Sequence, residues 1–289
     1  MTAWSLAHKK NRKRTDAIQK LVIYLILISG AVIVLFPFLW TFSTSLKTPD
    51  QVYQIPPQLI PDPADPLNYL RVLVDRPFAR WMLNSVFVVF ISTIGMLLSC
   101  SLAAFAFSRL RWPLRDKLFL MLLATMMLPT QVTLIPTFIL FKELGWINTY
   151  FPITLPAWFA RNAFYVFLLR QFFMTIPLDL DDAARMDGAG HLQVYWRIIL
   201  PMSKPALGVA ALMFAQFKWR EFLAPLIYLN RTESLTAAVG LRTFMDETHG
   251  TDWELMMAAN ILFMVPVVIV FFFTQRYMIQ GVVITGVKG

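Results

Sequence analysis

The sequence predicts an all-α, polytopic membrane protein with about six transmembrane helices. Three observations carry this. Hydrophobic residues make up 57% of the 289 and charged residues only 15%, where a soluble domain averages about a quarter charged. Mean hydropathy is +0.59, and six or so apolar stretches reach the length that crosses about 30 Å of hydrocarbon. None of them alternates at period two, as barrel strands would, and a backbone without water to bond must be helical.

The chain opens with a basic arm, residues 1–20, holding Lys9, Lys10, Arg12, Lys13, Arg14 and Lys20. Polar and charged, it is expected to be mobile. The apolar run 21–44 is too long for a signal peptide and ends in no clear small-x-small cleavage site, so it reads as an uncleaved first helix. Residues 47–83 form a polar external segment. Pro49, Pro56, Pro57, Pro61, Pro63 and Pro66 hold it extended or turning. Its end, 68–84, is amphipathic and fits either a helix lying along the membrane surface or one packed on the bundle.

The second span covers about 85–107, with Gly95, Ser99, Ala103 and Ala104 small enough for close helix contact. A basic turn, 109–117, leads to a third span from Leu118. Pro129 and Pro136 either kink that span or end it early and start a second piece. A short external loop, 142–150, precedes the fourth span, 151–174. A polar break at 177–205, a fifth span at 206–229, an external loop at 230–253 and a sixth span at 256–274 follow. Residues 21–280 thus form one transmembrane domain, and 281–289 a cytoplasmic tail.

Charge tests this order. Fifteen Lys and Arg fall on faces of one side: the arm, the turn (Arg109, Arg111, Arg115, Lys117), the 177–205 break (Arg185, Arg197, Lys204) and the tail (Arg276, Lys288). Seven fall on the other: Lys47, Arg71, Arg76, Arg80, Lys142, Arg231 and Arg242. The excess places both termini and the break in the cytoplasm. Spread this way, the formal charge of +9 describes membrane topology rather than a nucleic-acid surface. The single Cys100 permits no disulfide within the chain. His8, His191 and His249 are scattered and suggest no metal site. No G-x-x-x-x-G-K-[ST] is present, so ATP is not bound here by a P-loop, and no nucleophile–base pair suggests an enzyme.

The 177–205 break is organised. Asp179 is placed to cap a helix with Asp182 three residues on, and Leu180, Ala183 and Ala184 share a face. Gly188 and Gly190 supply a stop. A second short helix follows, with Leu192, Tyr195, Trp196 and Ile199 at helical spacing, closed by Pro201. Such a helix–Gly–helix elbow can lay a helix in a partner's groove.

Asp182-Ala183-Ala184, then Asp187-Gly188, then Ile198-x-Leu200-Pro201 resembles the EAA loop of bacterial ABC importer permeases, with Asp182 where the pattern has Glu. Asn68-Tyr69, Arg80-Trp81, Asn84-Ser85, 104–111, 128–136, 144–150, 169–173 and the ending 286–289 resemble the permeases of carbohydrate importers, closest to the maltose-type permease without the large extra external domain. The resemblance spans nearly the whole chain from about residue 25. It implies a permease that pairs with a second homologous permease, two ATPase subunits carrying ATP and Mg, and an extracytoplasmic solute-binding protein, with no cofactor in this chain. It implies that Asp182, Ala183, Ala184, Asp187, Gly188, Ile198, Leu200 and Pro201 couple to the ATPase, Asp182 meeting a basic group and Gly188 setting the bend. It also implies that the 230–253 loop touches the binding protein, although its charges of both signs fit an ordinary solvated loop equally well.

Charged groups in a membrane helix are costly and mark pathways by default. Lys218, Arg220 and Glu221 lie near the middle of the fifth span, and Lys218 can pair with Glu221 three residues on. Trp219, Phe222 and Pro225 fit the family's W-N-x-F pattern, with Arg220 where Asn is usual. Arg161 and Asn162 form a second polar pair at middle depth. These residues line a water-filled translocation path or pair with one another and fix packing. The reading is an importer subunit for a sugar or oligosaccharide, with a glycerol-phosphate-type solute also compatible. The rival is a self-contained secondary transporter or channel, against which stand the lack of an evident repeat and of a buried carboxylate pair.

Overall fold

The computed structural model describes the backbone of residues 3–246 and 250–286, and the side chains of 18–245 and 250–274. The side chains of Lys9 to Arg14, Asp246, Arg276 and Lys288, together with Glu247 and His249, lie outside that description.

The first helix, α1 (Ala3–Ser45), runs through the basic segment. No Gly or Pro interrupts residues 3–29, and Ala, Lys, Arg, Gln and Leu all favour helix. Its apolar stretch, Ile18–Ser45, is 28 residues long, and every side chain from Ile18 to Leu39 is exposed. Apolar surface of that extent belongs against lipid or another protein. After α2 (Pro49–Val52) and an extended stretch, α3 (Leu67–Val74) stops short of Pro77. The second long helix, α4 (Phe78–Arg109), starts there. The amphipathic segment is therefore not one surface helix. Its second half begins the span, and Trp81 is fully buried.

The third span divides at Pro129. α5 (Arg115–Ala124) and a 3-10 turn meet α6 (Thr130–Glu143) at 98°. Proline removes a backbone donor and restricts its predecessor, which ends one helix and starts another. Pro136 stays within α6. The fourth span is α7 (Phe151–Thr154), a 3-10 stretch and α8 (Ala163–Thr175), parted by Ala160 in the left-handed region at φ 50°. The polar break holds α9 (Asp179–Met186), α10 (His191–Val194) and α11 (Leu200–Met202). The fifth span, expected to be continuous, is α12 (Lys204–Trp219) and α13 (Leu223–Tyr228), with residues 220–222 unwound between them. A short α14 (Ala237–Gly240) and two two-residue strands, Met245–Asp246 and Gly250–Thr251, precede α15 (Trp253–Gly286). Among the described residues three helices are long and apolar enough to cross a membrane, or up to six spans if each bent pair counts as one.

The contacts divide the chain into two compact units, 1–72 with 244–261 and 73–243 with 262–289. In the first, fully buried Asn68 fixes the end of α1 by donating to the carbonyls of Ser45 (3.1 Å) and Lys47 (2.8 Å), while the Tyr69 hydroxyl meets Ser45 Oγ at 2.8 Å. In the second, α4 is the central helix. Cys100, Ala104, Leu169, Phe173, Tyr195, Ile199 and Phe214 form one core from α4, α8, the elbow and α12. Gly95 admits the Trp158 ring, and Ser99 Oγ donates to the Ala157 carbonyl at 2.8 Å. The loop after α13 is tied down. Trp81 Nε1 donates to the Thr232 carbonyl at 2.7 Å, Asn84 donates to Glu233 and Leu235, and Ser85 Oγ accepts from the Ala237 amide.

Candidate functional sites: the coupling elbow and two unwound segments

The elbow is built by local rules. Helix α9 starts at Asp179 with Leu178 at the N-cap position, so Asp179 is not the cap. Instead Asp179, Asp181 and Asp182 all lie in the first turn, where the unpaired amides of a helix start favour negative charge. The end of α9 is a Schellman stop: the Gly188 amide donates to Arg185 O and the Ala189 amide to Ala184 O, each at 2.9 Å. Gly188 sits at φ +84° with nothing near an added Cβ, so glycine is needed for the backbone conformation, not for space. Gln193 Oε1 accepts from the Gly190 amide at 2.9 Å and holds the next start.

The second arm is not one regular helix. Residues Tyr195–Ile199 form a π turn between α10 and α11. Pro201 follows immediately, and its missing N–H leaves the Arg197 carbonyl without its usual donor four residues on. The predicted single face is split as a result. Tyr195 and Ile199 are fully buried, while Leu192 (65% exposed) and Trp196 (53%) face out with Met186 (89%). Ser101 and Tyr195 hydroxyls meet at 2.7 Å and join the elbow to α4. Leu200 and Pro201 carry the chain to buried Ser203, where it bends 77° into α12.

The strongest tether uses a residue that spacing alone did not single out. Asp181 lies 3.6 Å from Arg109 Nη1, with side chains 3% and 1% exposed. Arg109 Nη2 also donates to the carbonyls of Phe173 (2.5 Å) and Ile176 (2.7 Å), acceptors that the end of α8 leaves open. Burial raises the Asp181 carboxyl above its ordinary range, with Arg109 and Arg185 pulling the other way. Asp182, by contrast, is 72% exposed and only loosely paired with Arg185 at 3.8 Å. Ala183, Asp187 and Gly188 are exposed beside it, and Ala184 and Ile198 face the core. One side of the elbow is therefore fixed to the spans. The other presents two exposed carboxylates, Asp182 and Asp187, and three large apolar side chains, as a docking face would.

The second set of predicted residues falls at the two unwound segments. Lys218 Nζ reaches Glu221 Oε2 at 2.7 Å, as the spacing predicts, and donates to the Ile153 carbonyl at 2.8 Å. Arg220 and Glu221 lie in the gap between α12 and α13 rather than within a helix. Arg220 is exposed, and among the described residues its side chain bonds the Gln216 carbonyl, at 3.2 Å. Exposed Arg161 and half-buried Asn162 occupy the gap before α8. Trp219 points to α15, donating to Phe263 O at 3.2 Å and stacking on its ring at 5.3 Å. Irregular backbone at membrane depth is tolerated where protein covers it or water reaches it. Two such gaps carrying charge are the form a solute route takes. Among the described residues, no cluster of His, Cys, Asp or Glu could hold a metal.

Comparison with known proteins shows the family. The profile of the binding-protein-dependent transport system inner membrane components matches residues 95–284. The sn-glycerol-3-phosphate transport system permease protein UgpE of Yersinia pestis is 33% identical over 281 residues, 95% of this chain and 98% of that one. Its counterpart in Brucella suis is 34% identical over 276 residues, 93% and 97% of the two chains. A chain from the crystal structure of a bacterial ABC transporter that imports the acidic polysaccharide alginate superposes with a TM-score of 0.80 at 29% identity, covering 91% of this chain and 98% of that one. The chain belongs to the family of binding-protein-dependent transport system inner membrane components.

Proposed function

We propose that this permease couples to a separate ATPase through residues 179–201 and passes an anionic sugar or phosphorylated polyol along the two unwound segments. The observation that carries the coupling reading is the two-sidedness of the elbow. Its inner side is held by Arg109–Asp181 and Tyr195, and its outer side leaves Met186, Leu192 and Trp196 exposed beside Asp182 and Asp187. A rigid foot with an open apolar-and-acidic face transmits a partner's closure to the spans. In this reading two ATPase subunits bind ATP and Mg, a second permease packs against this one, and a binding protein delivers the solute from outside. Both termini lie in the cytoplasm, as the distribution of Lys and Arg favours. Closure of the ATPase pair draws the elbows together and switches the cavity from inward-facing to outward-facing.

The solute class rests on charge. Lys218 is neutralised by Glu221, which leaves the Arg161 and Arg220 guanidiniums to meet an anion. The relatives named for sn-glycerol-3-phosphate and for alginate carry anionic solutes.

The test is Trp196→Ala in the assembled importer, with ATP hydrolysis and uptake both measured. An exposed apolar side chain contributes little to the fold, so melting should be unchanged within about 0.5 kcal/mol. Solute-dependent hydrolysis and uptake should fall at least about tenfold, since a buried aromatic at an interface centre is worth about 2 kcal/mol or more. Unaltered uptake would reject the elbow as the coupling element.

A further inference from the structure

In the unit formed by 1–72 and 244–261, a pocket of about 290 Å³ opens between the end of α1 and the start of α15. Its walls include Trp40, Tyr53, Trp253 and Met257, with Thr44 and Lys47 lining it between them. Lys47 is 2% exposed, and its ammonium sits 4.6 Å from the Trp40 ring centre. Among the described residues it has no carboxylate partner. An ammonium at a pocket wall over an aromatic face, with no carboxylate beside it among the described residues, lacks a counter-charge, and burial lowers its pKa.

Thr44 makes the same point independently. Thr41 turns its hydroxyl back to the Pro37 carbonyl at 2.9 Å and Ser45 to Phe42 O at 2.7 Å, as hydroxyls in helices do. Thr44 is 5% exposed, and its Oγ1 has no hydrogen-bond partner among the described residues. A buried hydroxyl left unpaired costs about 1–3 kcal/mol, so an acceptor or donor is missing from its surroundings. The pocket is preformed. Asn68 fixes the backbone at Ser45 and Lys47, and the Tyr53 hydroxyl is bonded to Thr251 O at 3.2 Å.

We propose that this pocket binds a small solute bearing a carboxylate or phosphate, its anionic oxygens taken by Lys47 Nζ and Thr44 Oγ1 and its carbon skeleton laid against Trp40 and Trp253. The volume suits one sugar ring or smaller, at the low end of ligand pockets. Indole faces suit the C–H surface of a sugar, and the ammonium selects charge. The site is separate from the unwound segments, and its occupancy does not depend on ATP-driven transport.

The experiment is calorimetric titration of the full-length chain in nanodiscs with glucuronate, and with glucose, which has the same ring without the carboxylate. Glucuronate should bind saturably and glucose at least about tenfold more weakly, the worth of one hydrogen bond to a charged group. Lys47→Met, which keeps the stem and removes a buried charge, should weaken glucuronate by about ten- to a hundredfold. Thr44→Val should weaken it several-fold. Inorganic phosphate should compete. Equal affinity for the two sugars, absence of saturable binding, or wild-type affinity in Lys47→Met would each overturn the proposal. Because binding is measured without ATPase or binding protein, a failure here leaves the coupling role of the elbow standing, and the reverse also holds.

Discussion

Arg109 closes α4, donates to the carbonyls of Phe173 and Ile176, and lies at ion-pair distance, 3.6 Å, from the Asp181 carboxylate. Removing the guanidinium leaves a buried carboxylate without its counter-charge and two helix-end carbonyls without a donor. Arg109→Met should therefore lower unfolding stability by about 3 kcal/mol, the usual cost of breaking a buried pair from one side. The double change Arg109→Met/Asp181→Leu should cost less than the single one, because no lone charge remains, and thermal melting of both variants decides this. A pH dependence follows from the same site. The folded chain holds the Asp181 proton to higher pH than the unfolded chain does. Stability contributed by this group is therefore present at low pH and declines as pH rises from the ordinary carboxylate range through the elevated folded value. Asp181→Asn should flatten that slope in melts taken across the acid range. The acidic run 179–182 is plain in the sequence, but which of its members turns inward is not. Capping-box spacing favours 179 and 182, whereas Asp181 is chosen by an arginine more than 60 residues away. Gly188 was legible, because a left-handed stop after a short helix needs only local information.

Among the elements, α4 and α14 show how closeness is decided by what can move. A Cβ on Gly240 would overlap the ring of Trp81, which is fully buried. A Cβ on Gly95 would overlap Trp158, which is 38% exposed and can shift. Gly240→Ala should cost about 2 kcal/mol, in the range for overpacking a core, and Gly95→Ala less than about 1 kcal/mol. Denaturant midpoints at constant slope would separate them. Helix existence was readable from hydropathy, but the breaks were only partly so. Pro129 announced one of them. The gaps at 160–162 and 220–222 contain no proline, and the π turn at Tyr195–Ile199 divides a face that simple periodicity joined. In each case packing against another element overrides local preference, and one chain read by propensity holds no record of that.

At the scale of the whole chain, charge is used in two ways. Lys and Arg outside the spans are expected to set orientation, while Arg161, Arg220 and Glu221 lie in the unwound segments and Lys218 in the last turn of α12. That coincidence was half visible beforehand: Lys218, Arg220, Glu221 and Arg161 stood out as costly in hydrocarbon, but the sequence showed them in unbroken helices. With the backbone unwound, the charges no longer need full burial in lipid-facing helix, and the roles of the four groups separate. Lys218 and Glu221 neutralise each other and hold Ile153 O, so Lys218→Met should damage folding and lower the amount of protein in the membrane. Among the described residues the Arg220 side chain has only a carbonyl from α12, so Arg220→Asn should leave that amount unchanged. If Arg220 meets an anionic solute, the same variant should reduce uptake about ten- to a hundredfold, as loss of a charge-assisted hydrogen bond predicts, while ATP hydrolysis stays coupled to the binding protein. Uptake and hydrolysis measured side by side separate these roles. A parallel loss of both would place Arg220 in the assembly of the permease rather than on the route of the solute.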